Sequence, residues 1–230
     1  MIGKSQSVLV IAAHPDDEAL GCGGTMARLA AEGVNVHVAF LADGVGARPM
    51  SELEHDRALQ QRREAGRQAA SILGSHEPRF FDFPDNQLDT VSLLELAQAI
   101  EKAIEELAPD TVITHHGGDL NIDHRRVHDA VLTACRPQTG HPVRRIWCFE
   151  VASSTEWQSP GSAPAFTPNL FFDIESTLRQ KLEALDAYEQ EMRDWPHSRS
   201  IRAVEHLARW RGASVGHEAA EAFMVVRELI

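Results

Sequence analysis

The sequence predicts an α/β fold in which a Rossmann-like, mostly parallel sheet carries helices on both faces. In the first half of the chain, short apolar runs alternate with longer segments of helical composition. Strands joined by helices of this length form right-handed βαβ units and a parallel sheet. The first run, residues 7–13 (SVLVIAA), is apolar without alternation, which is typical of a strand buried on both faces.

The elements follow in order, with Gly33 and Gly74 marking the ends of the first two helices. We predict strands at residues 7–13, 35–41, 79–83, 111–114, 145–151 and 169–174. We predict helices at residues 18–31, 51–73, 91–107, 123–134 and 176–192, with Ser176 as N-cap of the last, and more helix at the end of the chain. Residues 153–168 are predicted to form a long loop.

The composition is that of an ordinary globular chain and argues against several kinds of partner. The 230 residues are 43% hydrophobic and contain no linker-like tract, so we expect residues 1–230 to form a single domain. The net charge of −12 argues against nucleic acid as the main partner. The apolar run at residues 8–13 is too short to cross a bilayer and lacks the flanks of a signal peptide. We therefore expect no membrane insertion and a cytoplasmic location.

The first cluster of chemically useful side chains is AHPDDE, residues 13–18, directly after the first strand. His14 and Asp17 are three residues apart, so both can reach one ion from the first turn of a helix, and both are normal zinc ligands. Asp16 is placed to take a proton from water at that ion. Helix capping offers an alternative explanation for one of these carboxylates, but not for three consecutive acidic residues.

The second cluster is THHGGDLNIDHRRVH, residues 114–128, after the fourth strand. The carboxyl ends of parallel strands form the usual ligand-binding edge of such a sheet, so we expect the two clusters to meet. A catalytic zinc takes three protein ligands and keeps one open position. The residues alone offer His115, His116, His124 and His128 as the third ligand.

Together the two clusters resemble the PIG-L/LmbE-like deacetylases, zinc enzymes that remove acetyl groups from N-acetylglucosaminyl lipids, thiol-cofactor precursors and antibiotic sugars. The family motif Ala-His-Pro-Asp-Asp-Glu is matched in full by residues 13–18, and a later Asp-His by Asp123-His124. The resemblance implies that His14, Asp17 and His124 bind Zn²⁺ and that Asp16 is the general base. It also implies that Asp123 orients a ligand or donor histidine.

The chain departs from the family at one position of the second motif. Many members read His-Pro-Asp-His, whereas this chain reads Asn121-Ile122-Asp123-His124. Asn121 donates an amide hydrogen bond but cannot act as an acid. Either Asn121 stabilises the oxyanion, or a histidine such as His115, His116 or His197 supplies the proton.

Further segments resemble regions of the family that contact substrate. Arg62 and Arg63 fall in the region of a substrate-contacting arginine, and Phe83-Pro84-Asp85 matches a segment whose aspartate contacts sugar hydroxyls. A solvated helix face and an ordinary turn are the competing interpretations. Some family members form hexamers, so we expect that the chain self-associates.

The sequence therefore predicts a zinc-dependent hydrolase that removes the acetyl group from an N-acetylated sugar-like small molecule. Two alternatives are a zinc amidase for another acyl amide or thiol conjugate, and a non-catalytic sugar- or metal-binding protein. A dinucleotide-binding oxidoreductase would need a glycine fingerprint. The glycines of Gly21-Cys22-Gly23-Gly24 have the wrong spacing for it, and we expect them to allow close packing of a helix on the sheet.

Overall fold

The computed structural model describes residues 6–46 and 50–230 and has the predicted α/β architecture. The strands are β1 (Ser7–Ala12), β2 (Asn35–Ala42), β3 (Arg79–Phe83), β4 (Thr111–His115), β5 (Arg145–Phe149), β6 (Leu170–Asp173) and β7 (Ala220–Glu228). The α-helices are α1 (Asp17–Ala31), α2 (Glu52–Leu73), α3 (Leu93–Leu107), α4 (Ile122–Ala134), α5 (Leu178–Asp186) and α6 (Ile201–Ala213). Short 3-10 turns occur at Leu88–Thr90, Thr155–Trp157 and Glu175–Thr177.

The seven strands of the described residues form one sheet in the order β3-β2-β1-β4-β5-β7-β6. The strands β1 to β5 pair in parallel, whereas β7 runs antiparallel to both β5 and β6. The strand order reverses where β1 lies beside β4. In open α/β sheets, ligands bind beyond the carboxyl ends of the strands at such a point.

The central strand β1 is buried on both faces, as predicted. Val10 belongs to the hydrophobic cluster that includes Met26 of α1, whereas Ile11 belongs to the cluster that includes Ile100 of α3. Successive side chains of a strand point to opposite faces, so an unbroken apolar run is what two helical layers require.

The second half of the chain departs from the prediction in two places. The helix predicted for residues 176–192 is the shorter α5, and Thr177, not Ser176, precedes it. Ser176 lies in a 3-10 turn that holds the Thr177 hydroxyl against the carbonyl oxygen of Gly24, at 2.8 Å. The chain also does not end in helix: α6 is followed by β7. Pairing with strands on both sides overrides the Ala- and Glu-rich composition of that segment.

Smaller differences concern the bounds of elements. The helix predicted from residue 91 begins at Leu93 after the 3-10 turn, and the strand predicted to residue 151 ends at Phe149. Cys22, Cys135 and Cys148 are buried and form no disulfide. Within residues 6–46 and 50–230, no helix combines the length and hydropathy needed to cross a lipid bilayer.

The glycines after the first motif allow α1 to pack closely against its neighbours, as predicted. A Cβ atom at Gly21 would overlap the ring of Phe149 in β5, and one at Gly24 would lie 2.7 Å from the side chain of Ile174. Between them the helix is kinked, since Cys22 has a non-helical φ of −146°. The first turns of α1, which begin with Asp17, are therefore set at an angle to the rest of the helix.

A buried ion pair satisfies backbone groups at this kink. In a regular helix the N–H of Gly24 donates to the carbonyl of Leu20. Here the carboxylate of Glu221, in β7, accepts from the N–H groups of Gly24 (2.9 Å) and Thr25 (2.6 Å). The ammonium of Lys181 donates to the carbonyl of Leu20 at 2.7 Å and pairs with Glu221 at 2.5 Å. The last strand thus supports the helix that carries the first motif.

Replacing Glu221 by glutamine leaves the buried Lys181 ammonium without its counter-charge. Breaking a buried pair costs about 3–5 kcal/mol, so E221Q lowers the free energy of unfolding by about that amount. The matched control is Glu32→Gln, which breaks the exposed Arg28–Glu32 pair and costs less than about 1 kcal/mol. Denaturant unfolding followed by circular dichroism measures both variants. An E221Q loss no larger than that of E32Q contradicts this role of the pair.

Candidate metal centre

The two polar clusters meet at the carboxyl ends of β1 and β4, which pair in the sheet. His14 follows β1, and Asp17 is the first residue of α1. His124 lies in the first turn of α4, the helix after β4. The two strands end side by side, so side chains more than a hundred residues apart in sequence converge on one point.

The side chains of His14, Asp17 and His124 are arranged as a metal site. The Asp17 Oδ2 atom lies 3.2 Å from His14 Nδ1 and 3.3 Å from His124 Nε2. One ligand atom from each residue lies within 4.8 Å of the others. All three residues are buried, with 9% exposure for His14 and at most 1% for Asp17 and His124, so water cannot solvate them freely.

Each of the two histidines is held from behind by carboxylates. The Nε2 atom of His14 lies 3.0 Å from Asp123 Oδ2 and 3.0 Å from Asp85 Oδ1. The Nδ1 atom of His124 lies 3.2 Å from Asp119 Oδ1. These carboxylates bind one N–H of each ring, so when the imidazole is neutral its opposite nitrogen carries a lone pair towards Asp17. Carboxylates behind histidines in this way orient metal ligands and raise their basicity.

Two buried atoms at the centre of the group are left without a hydrogen bond among the described residues. They are Asp17 Oδ1 and His124 Nε2. An unsatisfied buried polar atom costs about 1–3 kcal/mol, and more when it is charged. A divalent cation between the two lone pairs and the carboxylate removes that cost, so the donor set fits a metal ion. Histidine nitrogen and aspartate oxygen are ligands that zinc accepts.

The pKa shifts show how strongly this group favours positive charge. Burial lowers the pKa of His14, but hydrogen bonds to Asp123, Asp17 and Asp85 outweigh it and hold the pKa well above the ordinary value. Burial likewise lowers the pKa of His124, yet the Asp17 charge and the Asp119 bond raise it to about 9. Protons on His14 and His124 thus supply the positive charge that a bound cation would supply.

A second group, His14, Asp85 and Asp123, also brings three donor atoms together. Its carboxylates already have partners, however. The two oxygens of Asp123 accept from the backbone N–H groups of Asn86 (2.7 Å) and Leu88 (3.0 Å). These contacts match a supporting role behind His14. The first group is therefore the better fit for a metal ion.

The other histidines of the second cluster lie in different environments. The Nε2 atom of His115 accepts from the N–H of Ala13 at 2.8 Å, so its proton is on Nδ1 and neither nitrogen offers a lone pair. Burial, reinforced by the His124 charge, holds the pKa of His115 well below the ordinary value. His116 contacts the carbonyl of Pro164, and His128 contacts that of His115. Of the four candidates, His124 completes the group.

Asp16 lies beside the group but faces a different partner. Its carboxylate lies 2.9 Å from the guanidinium of Arg199 and 4.0 Å from that of Arg62. Its backbone has a φ of 133°, a strained value that is common at functional sites. Burial raises the pKa of Asp16 to about 6, although the Arg199 charge opposes the shift.

Asp16 and His14 line an open cavity of about 380 Å³. The other predicted residues in its wall are Arg62, Asp85 and Asn121. Arg62 also donates to the carbonyl of Pro15 and pairs with Glu191. Arg63 does not line the cavity: it pairs with Asp82 and lies over the Phe80 ring. The structure therefore favours Arg62 over Arg63 as a substrate contact.

Sequence reasoning missed two residues that shape this site. Asp119 supports His124 and accepts from the hydroxyls of Ser154 and Thr155. Arg199 comes from the segment between α5 and α6, where the sequence had drawn attention to His197. His197 lies outside the cavity wall, and its Nδ1 accepts from the Arg199 N–H at 3.0 Å. The mixture of aromatic and basic residues around position 197 was the one available signal.

Comparisons with known proteins find similarity to deacetylases. The sequence model of the family described as PIG-L, GlcNAc-PI de-N-acetylase, matches residues 9–135. The uncharacterized deacetylase YaiS of Escherichia coli K12 is 30% identical over 188 residues, 79% of this chain and 90% of YaiS. The 1D-myo-inositol 2-acetamido-2-deoxy-alpha-D-glucopyranoside deacetylase of Rhodococcus jostii is 30% identical over 237 residues, 80% of this chain and 81% of that protein.

Solved structures show the same fold. The N,N'-diacetylchitobiose deacetylase of Pyrococcus horikoshii superposes with a TM-score of 0.80 at 20% identity, covering 97% of this chain and 85% of that one. GalB of Pseudomonas putida, a 4-carboxy-2-hydroxymuconate hydratase, has a TM-score of 0.76 at 21% identity and covers 98% of both chains. Proteins named for different reactions thus share this fold, and the reaction must be argued from the site.

Replacing His124 by alanine removes one lone pair and should reduce zinc binding at least about 10-fold, since each ligand contributes to affinity. The control is His116→Ala, a neighbouring buried histidine outside the group, which should retain one zinc per chain. Equilibrium dialysis with elemental analysis measures both variants. Unchanged zinc affinity in H124A contradicts the assignment of this histidine.

Proposed function

Because this chain belongs to the PIG-L family of deacetylases, hydrolases that act on an amide bond, we propose that it uses zinc to remove the acetyl group from an N-acetylated sugar or sugar derivative. The observation that carries the proposal is the buried group of His14, Asp17 and His124 beside an open cavity that Asp16 also lines. This site combines metal-binding side chains, a carboxylate outside the metal-binding group and room for a small substrate.

His14, Asp17 and His124 would hold the metal, with Asp123, Asp85 and Asp119 behind the two histidines. A bound zinc ion supplies Lewis-acid chemistry: it polarises a carbonyl oxygen and lowers the pKa of water. Of these three residues, His14 also lines the cavity, so a carbonyl bound there would lie beside the metal site.

Asp16 is the proposed general base and also the acid. Its carboxylate accepts a proton from the water that attacks the acetamide carbonyl, and the same proton then passes to the amine nitrogen as the C–N bond breaks. Acetate and a free amine result. Two roles fall to one residue because, among the described residues of the cavity wall, His14 is the only histidine. General acid–base catalysis of this kind contributes about 10²–10⁴-fold.

Asn121 supports the proposal as a hydrogen-bond donor to the developing oxyanion. Its Oδ1 accepts from the backbone N–H of Asp123 at 2.8 Å and caps α4. The cap fixes the orientation of the amide, so the –NH₂ group is on the other side. This group has no hydrogen-bond partner among the described residues, and Asn121 lines the cavity. Preorganised donors of this kind stabilise the charge of the transition state.

The polar wall of the cavity supports a sugar-like substrate. Arg62, Asp85 and Asn86 line the cavity together with the apolar Val45 and Met50. Charged and amide side chains of this kind bind hydroxyl groups, and apolar groups cover the faces of a sugar ring. The R. jostii relative carries in its name a 2-acetamido-2-deoxyglucopyranoside, which is an amide of this class.

The direct test is amine release from a panel of N-acetylated sugars, nucleotide sugars and glycosides by zinc-loaded protein. Wild type should release amine, and a chelator should abolish the release. Asp16→Asn should keep its zinc and lose at least about 10²-fold in kcat because the proton acceptor is gone. Asp82→Asn, which removes an exposed carboxylate, is the control and should keep wild-type activity.

Full activity in D16N removes Asp16 from the mechanism. Release that resists chelation contradicts the zinc requirement. If the panel yields no amine but an unrelated acyl amide or thiol conjugate does, the sugar assignment fails while the deacetylase assignment stands.

The Asn121 role is tested without disturbing the helix. Asparagine, aspartate and serine are similar as N-caps, so Asn121→Asp and Asn121→Ser should change the free energy of unfolding by less than about 1 kcal/mol. Aspartate lacks the amide donor, so N121D should lose about 10²–10³-fold in kcat, and N121S should fall between it and wild type. Steady-state kinetics and thermal unfolding measure both effects. Wild-type kcat in N121D contradicts the donor role.

A further inference from the structure

Arg199 lies outside residues 9–135, the part of the chain that the family model matches. Its guanidinium binds the proposed base, Asp16, directly. The Nη1 atom of Arg199 donates to Asp16 Oδ2 at 2.9 Å, and its Nε donates to the hydroxyl of Ser153 at 2.8 Å. Arg199 therefore joins three segments: the loop after β1, the loop after β5 and the segment before α6. Its side chain is 21% exposed, against 2% for Asp16, so this contact is largely shielded from water.

Asp16 has little else to hold its carboxylate. Among the described residues, Arg199 is the only side chain that hydrogen-bonds to it. Arg62 is 4.0 Å away and is engaged by the Pro15 carbonyl and by Glu191. The other oxygen, Oδ1, has no hydrogen-bond partner in the described part of the chain, and the side chain lines the cavity. One oxygen is thus anchored and the other is available.

We propose that Arg199 is a positioning residue for Asp16, which binds Oδ2 so that Oδ1 is presented to the reacting groups. This inference rests on the proposed role of Asp16 as the base. The rotation of a carboxylate about its side-chain bonds is otherwise free, and a misplacement of about 1 Å can cost about 10²-fold in rate. The hydrogen bond to Oδ2 stops the carboxylate from rotating, and it leaves the reactive oxygen, Oδ1, unbound.

The two hydrogen bonds that the Arg199 side chain donates explain why an arginine serves here. Its Nη1 and Nε are separate donors on one rigid plane, so the bond to Ser153 fixes the plane that meets Asp16. Ser153 is itself held, since its backbone N–H donates to Glu156 Oε1 at 2.7 Å. A lysine has the charge but only a single nitrogen on a flexible stem, so it cannot bind Ser153 and Asp16 in this fixed geometry.

Arg199 also lines the cavity, so a direct contact with substrate is the competing role. The two roles differ in kinetics. A substrate contact acts on KM, whereas orientation of the base acts on kcat with substrate already bound. Measurement of both constants on an accepted substrate therefore separates them.

The variants are Arg199→Gln, Arg199→Lys and, as a matched control, Arg202→Gln. Arg202 lies three residues on and its guanidinium contacts the ring of Trp195. We expect kcat of R199Q to fall about 10–100-fold with KM within about 3-fold of wild type, and R199K to fall between R199Q and wild type. R202Q should match wild type, and zinc content should be unchanged throughout. Unchanged kcat in R199Q, or a rise in KM alone, overturns the proposal.

Two further measurements each remove one dependence: the first does not require R199Q to fold, and the second requires no substrate. Ser153→Ala removes the hydrogen bond to Arg199 Nε and keeps the arginine, and it should lower kcat by about 3-fold. A wild-type kcat in this variant contradicts a role for Ser153 in orienting Arg199. A crystal structure of zinc-loaded R199Q should show the Asp16 carboxylate turned from its wild-type position. An unmoved carboxylate overturns the proposal. If wild type itself hydrolyses no acetamide, the proposed function fails, and this structure still decides the role of Arg199.

Discussion

The Asp17 carboxylate is fully buried, and its need for positive charge organises this end of the molecule. A carboxylate in a dry site must be paired or must neutralise itself. Burial raises the pKa of Asp17, but the charge of His124 and the hydrogen bonds to His124 and His14 outweigh burial and hold the pKa well below the ordinary value. Asp17 can pair with these histidines only if β1 and β4 end side by side, because Asp17 and His14 follow β1 whereas His124 follows β4. The strand order of the sheet is therefore a condition for the site.

Parts of the chain remote in sequence support this arrangement. Glu221 in β7 and Lys181 in α5 satisfy the backbone groups at the kink in α1, the helix that begins with Asp17. Asp85 and Asp123 hold His14, and Asp119 holds His124. These side chains lie outside the first motif, so the geometry of the motif depends on contacts across the whole sheet. A buried polar network of this kind is stable only when each member is satisfied.

Much of the fold and of the metal site could be predicted from the sequence, and the features that could not be predicted have physical reasons. The apolar run of β1 and the helix that follows it predicted the parallel sheet, and the motif ending in Asp123-His124 predicted which histidine joins His14. The strand β7 was missed because pairing with two neighbours, and not local propensity, decides its structure. Arg199 was missed because nothing in its neighbourhood specifies which loop folds over Asp16. Sequence likewise offered no means to choose between Arg62 and Arg63, because the choice depends on which side of α2 faces the cavity.

The group of His14, Asp17 and His124 is expected to hold one cation. Anomalous diffraction above and below the zinc absorption edge, from crystals of zinc-loaded protein, tests it most directly. We expect a single strong peak between His14 Nδ1, Asp17 and His124 Nε2. A peak on the other side of the His14 ring, between Nε2, Asp85 and Asp123, would show that this metal site is assigned wrongly, as would no peak at either group in zinc-saturated crystals.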